Sequence, residues 1–292
     1  MRKASVALAA AALMLAATVG ASGTPSRSAA PATSCAKGSL TLVTPGTLTI
    51  GTDNPAYPPW YGGGSPKGSF WQVNDPATGK GFESAVAYAV AKQLGFSASE
   101  VKWTYVPFSR SFAPGRKSFD FDINQISYTP ARAKVVSFSS AYYNVNQAIV
   151  VLKGTKISRV HSVTGLRGFK LGAQIGTTSY GFITDVIKTT STPAAFQQNA
   201  AAIEALKNRQ IDGLVVDLPT AFYVTAVQVP NSTILGQFPG ASGLGYFGMV
   251  FSKGNPLVGC VDTALARLKS NGTLARIQQQ WLAKATGAPV LK

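Results

Sequence analysis

Strand and helix signals alternate along this chain, and that alternation predicts an α/β fold in which sheets and helices form stacked layers. The 292 residues suffice for one large domain or two ordinary ones, and 46% of them are hydrophobic. That is enough apolar surface for burial to offset the entropy of ordering the chain, so wholesale disorder is excluded.

The elements follow in order. Residues 47–51 form the first β-rich run. Phe82, Val86, Ala89, Val90 and Leu94 then recur at helical spacing, with Gly95 placed to stop the helix. Residues 101–106 alternate as a strand does, residues 121–126 read as another strand, and Thr129 before Pro130 is an N-cap with a first-turn proline. In the second half, 170–174 and 213–216 are expected strands, and 178–187, 201–207 and 219–227 expected helices. Residues 247–251 read as one strand, and 258–268 and 274–281 as amphipathic helices parted by Asn271 and Gly272. Layers of this kind place ligands at the carboxyl ends of strands.

The N-terminus carries a targeting pattern. Arg2 and Lys3 precede an Ala/Leu/Val-rich run over residues 6–19, and Gly20, Ala21 and Ser22 follow. Thr24, Pro25 and Ser26 end the run short of the roughly 20 apolar residues a spanning helix requires. Residues 1–21 are therefore read as a signal peptide, 22–37 as a disordered spacer, and the protein as exported. In an oxidising compartment Cys35 and Cys260, the two cysteines, are expected to pair. The rival is a lipidated Cys35 that anchors the chain to the membrane, but Ala32, Thr33 and Ser34 lack the Leu usual three places upstream.

Lys and Arg number 27 against 11 Asp and Glu, a net charge of +16. Removing residues 1–21 takes two cations and no acid, which leaves +14. The cations are dispersed, without basic blocks or interleaved aromatics, so they suit an anionic envelope or a docking surface and no nucleic-acid role is expected. One His and two Cys leave no zinc cluster, and a catalytic triad would have to recruit His161. No metal or cofactor is expected.

A series of short motifs carries a family resemblance: Gly51-Thr52-Asp53 with Tyr57-Pro58-Pro59-Trp60, Gly81-Phe82-Glu83, Phe119-Asp120, Thr129-Pro130-Ala131-Arg132, Phe138-Ser139 with Tyr142-Tyr143, Gly176-Thr177-Thr178, Val215-Val216-Asp217 and Asn271-Gly272-Thr273. Their order resembles that of extracytoplasmic solute-binding proteins of polar amino-acid ABC transporters, over about residues 45–285. The resemblance implies a two-lobed clamshell of the type II periplasmic-binding-protein kind. Each lobe would be a mixed sheet flanked by helices, with two crossover hinge strands. Lobe one is expected over 38–145 plus 248–292 and lobe two over 146–247. A monomer is expected, which captures a free amino acid and hands it to a membrane ABC permease.

A zwitterion needs a fork of donors and, a few ångströms away, an acid. Arg132 is the fork, because guanidinium binds carboxylate bidentately. The resemblance adds Ser127 and the backbone at Gln125 beside it, Thr177 and Thr178 as a carboxylate-binding turn on the second lobe, and Asp217 as the ammonium acceptor. Each has a plainer reading. Arg132 could be solvated, Thr129 could only cap its helix, Thr177 or Thr178 could cap the next one without touching ligand, and Asp217 could cap the helix starting at Leu218, a role that can coexist with ligand binding. Tyr57 and Trp60 could be core aromatics, although the family places the counterpart of Tyr57 over the ligand side chain. Tyr142, Tyr143, Tyr246 and Phe247 fall on the expected hinge strands.

For the distal end of the ligand, Asp53 matches a family position that reaches polar or cationic side chains, so a polar neutral or cationic amino acid is expected. Asp122 and Glu83 are further acids, read otherwise as solvent-exposed and as a helix-start charge. The sequence departs from the family at one extra residue between Asp53 and Tyr57, at Gln125 where Gly is common, and in a Gly-rich excursion over 61–80. The alternative function is an enzyme of dehydratase or lyase type on the same fold, which would need a cleft carboxylate such as Glu83.

Overall fold

The computed structural model describes Met1 and residues 34–238, 245–283 and 287–291. The expected signal peptide after Met1, and the spacer up to residue 33, lie outside the described residues.

The first half contributes β1 (Leu48–Thr52), α1 (Phe82–Gln93), β2 (Val101–Tyr105), α2 (Phe108–Ser111), β3 (Phe121–Asp122), α3 (Pro130–Val135) and β4 (Val136–Phe138). β5 (Tyr143–Asn144) leads to β6 (Gln147–Leu152), β7 (Leu171–Gln174), α4 (Thr178–Phe182), β8 (Ala194–Phe196), α5 (Asn199–Lys207), β9 (Gly213–Asp217), α6 (Leu218–Tyr223) and β10 (Ser232–Phe238). β11 (Tyr246–Phe247), β12 (Val250–Ser252), α7 (Leu257–Ser270) and α8 (Thr273–Leu282) complete the order.

These strands form two mixed sheets. In the first, β2, β1 and β3 run parallel and β12 lies antiparallel between β3 and β4. The second has the order β10-β6-β9-β7-β8, with β6 antiparallel to β10 and β9, and β7 parallel to β9 and β8. Between the sheets the outgoing β5 and the returning β11 pair antiparallel, Tyr143 opposite Phe247 and Asn144 opposite Tyr246. The result is a two-lobed clamshell with a two-stranded hinge.

Packing explains the strand composition. β6 is buried along its whole length because helices cover both faces of the second sheet. In the first lobe the main core lies on one face, where Leu48, Ile50, Phe121 and Phe251 meet α1, α7 and α8. The opposite face has a smaller apolar cluster of Ile126, Val136 and Val250 under Phe108 and Phe112. Gly81 is needed where α1 begins: it has φ +91°, and a Cβ there would stand 2.4 Å from Tyr61 Cα.

Three expectations change. The single strand expected over 247–251 is split into β11 and β12, because Gly248 donates its N–H to the Ile126 carbonyl and the chain switches from hinge to sheet. The spacer expected to run to residue 37 is already fixed at Cys35 and Lys37. Cys35 is disulfide-bonded to Cys260 on α7, 225 residues away, and Lys37 pairs with Glu100 at 2.5 Å. The bridge uses the sulfur that a lipid thioether would require, so the two fates of Cys35 exclude each other. Finally, residues 287–291, expected in the first lobe, lie along β10 of the second sheet. Val290 bridges Gln237, and Leu291 is buried beside Phe238 and Phe182.

Candidate functional site

A cleft opens between the lobes, the concave kind of setting in which small-molecule sites are found. The first lobe lines it with Asp53, Tyr57, Gln125, Ser127 and Arg132, and the second with Thr177, Thr178 and Asp217. Trp60 is the sequence-predicted residue that does not line it. The Trp60 ring is buried at 2% exposure, edge-on to Phe82, Tyr143 and Phe247, and its indole N–H donates to Thr220 Oγ1 of the second lobe at 3.1 Å. Thr220 does line the cleft.

Arg132 is placed by the N-cap that the sequence announces: Thr129 Oγ1 accepts the Arg132 N–H at 3.1 Å, and Pro130 opens the helix. Its guanidinium stacks 4.0 Å from the centre of the Phe112 ring, donates to the Ser127 carbonyl at 2.7 Å and reaches across to the Gly176 carbonyl at 2.7 Å. Burial lowers its pKa to about 10 while the charge of Asp217 opposes the shift, so it stays cationic at neutral pH. The fork has donors to spare for an anion. Ser127 Oγ and Thr178 Oγ1 meet across the lobes at 3.2 Å.

Asp217 ends β9 at the N-cap position of α6, yet its side chain makes no cap bond. One carboxylate oxygen instead accepts from Gln147 Nε2 at 2.6 Å, and burial pushes the pKa up to about 7, partly countered by Gln147 and Arg132. Gln147 is itself oriented by Ser179, whose hydroxyl donates to Gln147 Oε1 at 2.6 Å. The capping alternative therefore fails for Asp217. It holds for Thr177, whose Oγ1 accepts the Tyr180 N–H at 3.1 Å and donates to the Gln174 carbonyl at 2.6 Å.

Gln125 occupies the left-handed region at φ +49°, a conformation that glycine adopts without cost. Glu83 holds it there, accepting from the Gln125 backbone N–H at 2.6 Å and from its side-chain amide, while Tyr142 also donates to Glu83. Glu83 is fully buried with its pKa raised to about 7 by desolvation, and it is not a lining residue. It stands in the first turn of α1, where the helix-start reading places it, but buried and outside the cleft lining. Asp122 is likewise fully buried, not solvent-exposed.

Asp53 lines the cleft beside Tyr57, and burial raises the pKa of both, with the Asn54 N–H partly offsetting the shift at Asp53. Lining residues that the sequence reading missed include Asn54, Phe108, Asn124, Gln174, Gln198, Asn199 and Thr220. Gln174 ends β7, and Gln198 and Asn199 follow β8 where α5 begins. The rule that ligands sit at strand carboxyl ends would have pointed to them.

The arrangement matches known proteins along most of its length. "ABC transporter arginine-binding protein 1" of Escherichia coli (strain K12) is 30% identical over 205 residues, 69% of this chain and 81% of that protein. "L-cystine-binding protein TcyJ" of the same strain is 26% identical over 250 residues, 85% of each chain. Among solved structures, an ancestral arginine-binding protein bound to arginine superposes with a TM-score of 0.65 at 30% identity, covering 81% of this chain and 98% of that one. Residues 48–284, from the first strand of one lobe through the last helix beyond the second crossing, match a single family over both lobes and the cleft between them, and the chain belongs to the bacterial extracellular solute-binding proteins, family 3.

Proposed function

We propose that this protein captures a free amino acid, polar neutral or cationic, between its lobes outside the cytoplasm and delivers it to an ABC permease. The observation that carries the reading is the placement of Arg132 and Asp217 on opposite lobes of one cleft, a charged fork facing a carboxylate that its own helix does not use. A zwitterion supplies the complementary pair, carboxylate to Arg132 and ammonium to Asp217. The names of relatives that bind arginine and cystine support the ligand class.

Ser127, Thr178 and the turn at Thr177 complete the carboxylate end, the backbone at Gln125 stands beside it, and Tyr57 and Asp53 face the side chain. Trp60 acts from behind, joining the aromatic core of lobe one to Thr220. Closure follows as a population shift, because the second-lobe contacts form only when the lobes meet. The protein works as a monomer, with its N-terminal leader removed on export and Cys35 held in the bridge to Cys260. Catalysis is not part of the proposal.

A thermal-shift screen of the mature protein against the common amino acids tests this. Ligand at 100 times its Kd stabilises the folded state by about 2.7 kcal/mol, a rise of several degrees in Tm. No shift with any amino acid, after bound ligand is stripped by unfolding and refolding, would refute the reading.

A further inference from the structure

The second-lobe wall of the cleft carries polar groups that the fold itself does not use. β9, β7 and β8 are neighbours in the second sheet and run parallel, so their carboxyl ends open on the cleft side by side. β9 ends there in Asp217 and β7 in Gln174, and the chain leaving β8 enters α5 through Gln198 and Asn199. Gln174 is 8% exposed and lines the cleft. Its backbone carbonyl accepts from Thr177, but its side-chain amide makes no hydrogen bond among the described residues. Buried polar groups are ordinarily paired, so an amide left open on a cleft wall calls for an occupant.

The amino end of α5 opens on the same wall. Gln198 holds the N-cap position without a side-chain cap bond, and the first turn contains no acid. The N–H of Ala202 donates to the Gln198 carbonyl at 3.3 Å, while those of Asn199, Ala200 and Ala201 before it have no partner among the described residues. Asn199 and Ala200 line the cleft. A helix end of this kind favours a carboxylate, and Gln174, paired with Phe196 across the two strands, adds an amide beside it. Two strand spacings of about 4.8 Å set β8 roughly 10 Å from the strand that carries Asp217, a reach that a long side chain covers. At the Arg132 end of the cleft the cation is on lobe one and the acid, Asp217, on lobe two. Asp53 and the α5 end reverse that pattern, acid on lobe one and anion-seeking N–H groups on lobe two.

We propose that Gln174, Gln198 and Asn199, with the amino end of α5, form a second carboxylate subsite, and that the ligand is a diamino dicarboxylic acid, whose side chain ends in a second amino-acid group. The proposal rests on the amino-acid reading of the cleft and narrows its polar neutral class, because such a molecule is charged at both ends yet carries no net charge. One end lies between Arg132 and Asp217. The distal carboxylate accepts from the α5 N–H groups and the amides, and the distal ammonium goes to Asp53. An amino acid without the distal carboxylate leaves the α5 end and Gln174 unmatched. One without the distal ammonium brings a bare negative charge into the cleft that Asp53 shares.

Calorimetry of the mature protein with LL-diaminopimelate, L-cystine, L-lysine and L-α-aminopimelate tests the assignment. Lysine is the diaminopimelate skeleton without the distal carboxylate, and α-aminopimelate the same skeleton without the distal ammonium. The parent should bind diaminopimelate or cystine at least about tenfold more tightly than either of the truncated compounds. Gln174→Leu keeps the volume and drops the amide. Asn199→Pro drops a side-chain amide and one N–H at the first helical position, which accepts proline, and Gln198 before it is already extended at φ −139° and ψ 149°. Each variant should cut the preference over lysine by about fivefold or more while the affinity for lysine itself stays within about twofold of the parent's. An unchanged preference in both variants overturns the proposal, as does a parent that binds lysine or a neutral monocarboxylic amino acid more tightly than both diamino dicarboxylic acids. A parent that binds no amino acid overturns the reading of the cleft itself, and this assignment with it.

Discussion

The side-chain amide of Asn146 donates to Gln237 Oε1 at 2.9 Å, tying the first crossing between the lobes to the last strand of the second sheet. Gln237 also holds the C-terminal segment. Its backbone N–H donates to the Pro289 carbonyl at 2.7 Å, its Nε2 to the Ala288 carbonyl at 2.8 Å, and its carbonyl accepts from Leu291 at 3.1 Å. The Asn146 carbonyl accepts the N–H of Leu218 at 2.9 Å, one residue past Asp217. Tail, hinge and cleft acid are thus bonded in series.

This makes the tail a structural part of the second lobe. Leu291 is 7% exposed and lies against Gly236, where a Cβ would come within 2.9 Å of it. Leu291→Ala removes buried methyl groups from a site at the sheet edge that can partly relax, so its cost should fall near the low end of such truncations, about 2 kcal/mol. Denaturant unfolding should show a lower midpoint with an unchanged slope. An unaltered midpoint would mean that the segment is not docked on β10 in solution.

Much of this architecture was legible in advance because the signals were local. Thr129 and Pro130 announced the helix that carries Arg132, Gly95 marked the end of α1, and the hinge tyrosines fell on the crossings. Strands β6 and β10 were not assigned. A continuous apolar run such as residues 147–152 carries no alternation when helices cover both faces. The buried states of Glu83 and Asp122 were also illegible, since a carboxylate's burial depends on partners 42 and 59 residues distant for Glu83. For Asp122 it depends on the missing Cβ of Gly51 across the strand pair. The tail's return to β10 is a tertiary contact without a local mark.

Reduction of the disulfide should be costly because the bridge spans 225 residues and so constrains nearly the whole unfolded chain. Loop-closure entropy for so long a loop gives a stabilisation of about 5 kcal/mol, an upper figure where the denatured chain retains structure. Thermal melting with and without reductant should differ by roughly 10 °C. Cys35→Ser should melt like the reduced parent. Equal Tm values in oxidised and reduced samples would show that the bridge is absent or energetically idle.

Asp217 makes a pH prediction whose sign is fixed by its environment. Its carboxyl is raised to about 7 from an ordinary 3.8, and that of Glu83 to about 7 from 4.5. Between those limits the folded, empty protein keeps protons that the unfolded chain has released. Its stability therefore falls as pH rises from about 4 to about 7 and levels off above. Ligand affinity should move the other way, because an ammonium group prefers the ionised Asp217, increasing toward pH 7 and flattening beyond. Asp217→Asn should weaken binding and flatten its pH dependence, and should remove the Asp217 part of the stability loss between about pH 4 and 7 without lowering the Tm of the empty protein, since the side chain does not cap α6. A large Tm loss without a binding defect would make the residue structural.

Arg132 should prove the most demanding position to replace. The guanidinium joins the two lobes through Gly176, holds the Ser127 carbonyl and rests on Phe112, so no other side chain reproduces its contacts. Arg132→Ala removes the proposed charge-assisted partner of the ligand carboxylate and should cost about 2–5 kcal/mol of binding. Arg132→Lys keeps the charge but loses the planar fork, and should recover only part of that. Calorimetry of the two variants against the parent separates the contributions: charge alone would restore binding in the lysine variant, whereas a bidentate role leaves it well short. Alanine-variant affinity within about twofold of the parent would remove Arg132 from the site and leave the cleft without its anion-binding fork.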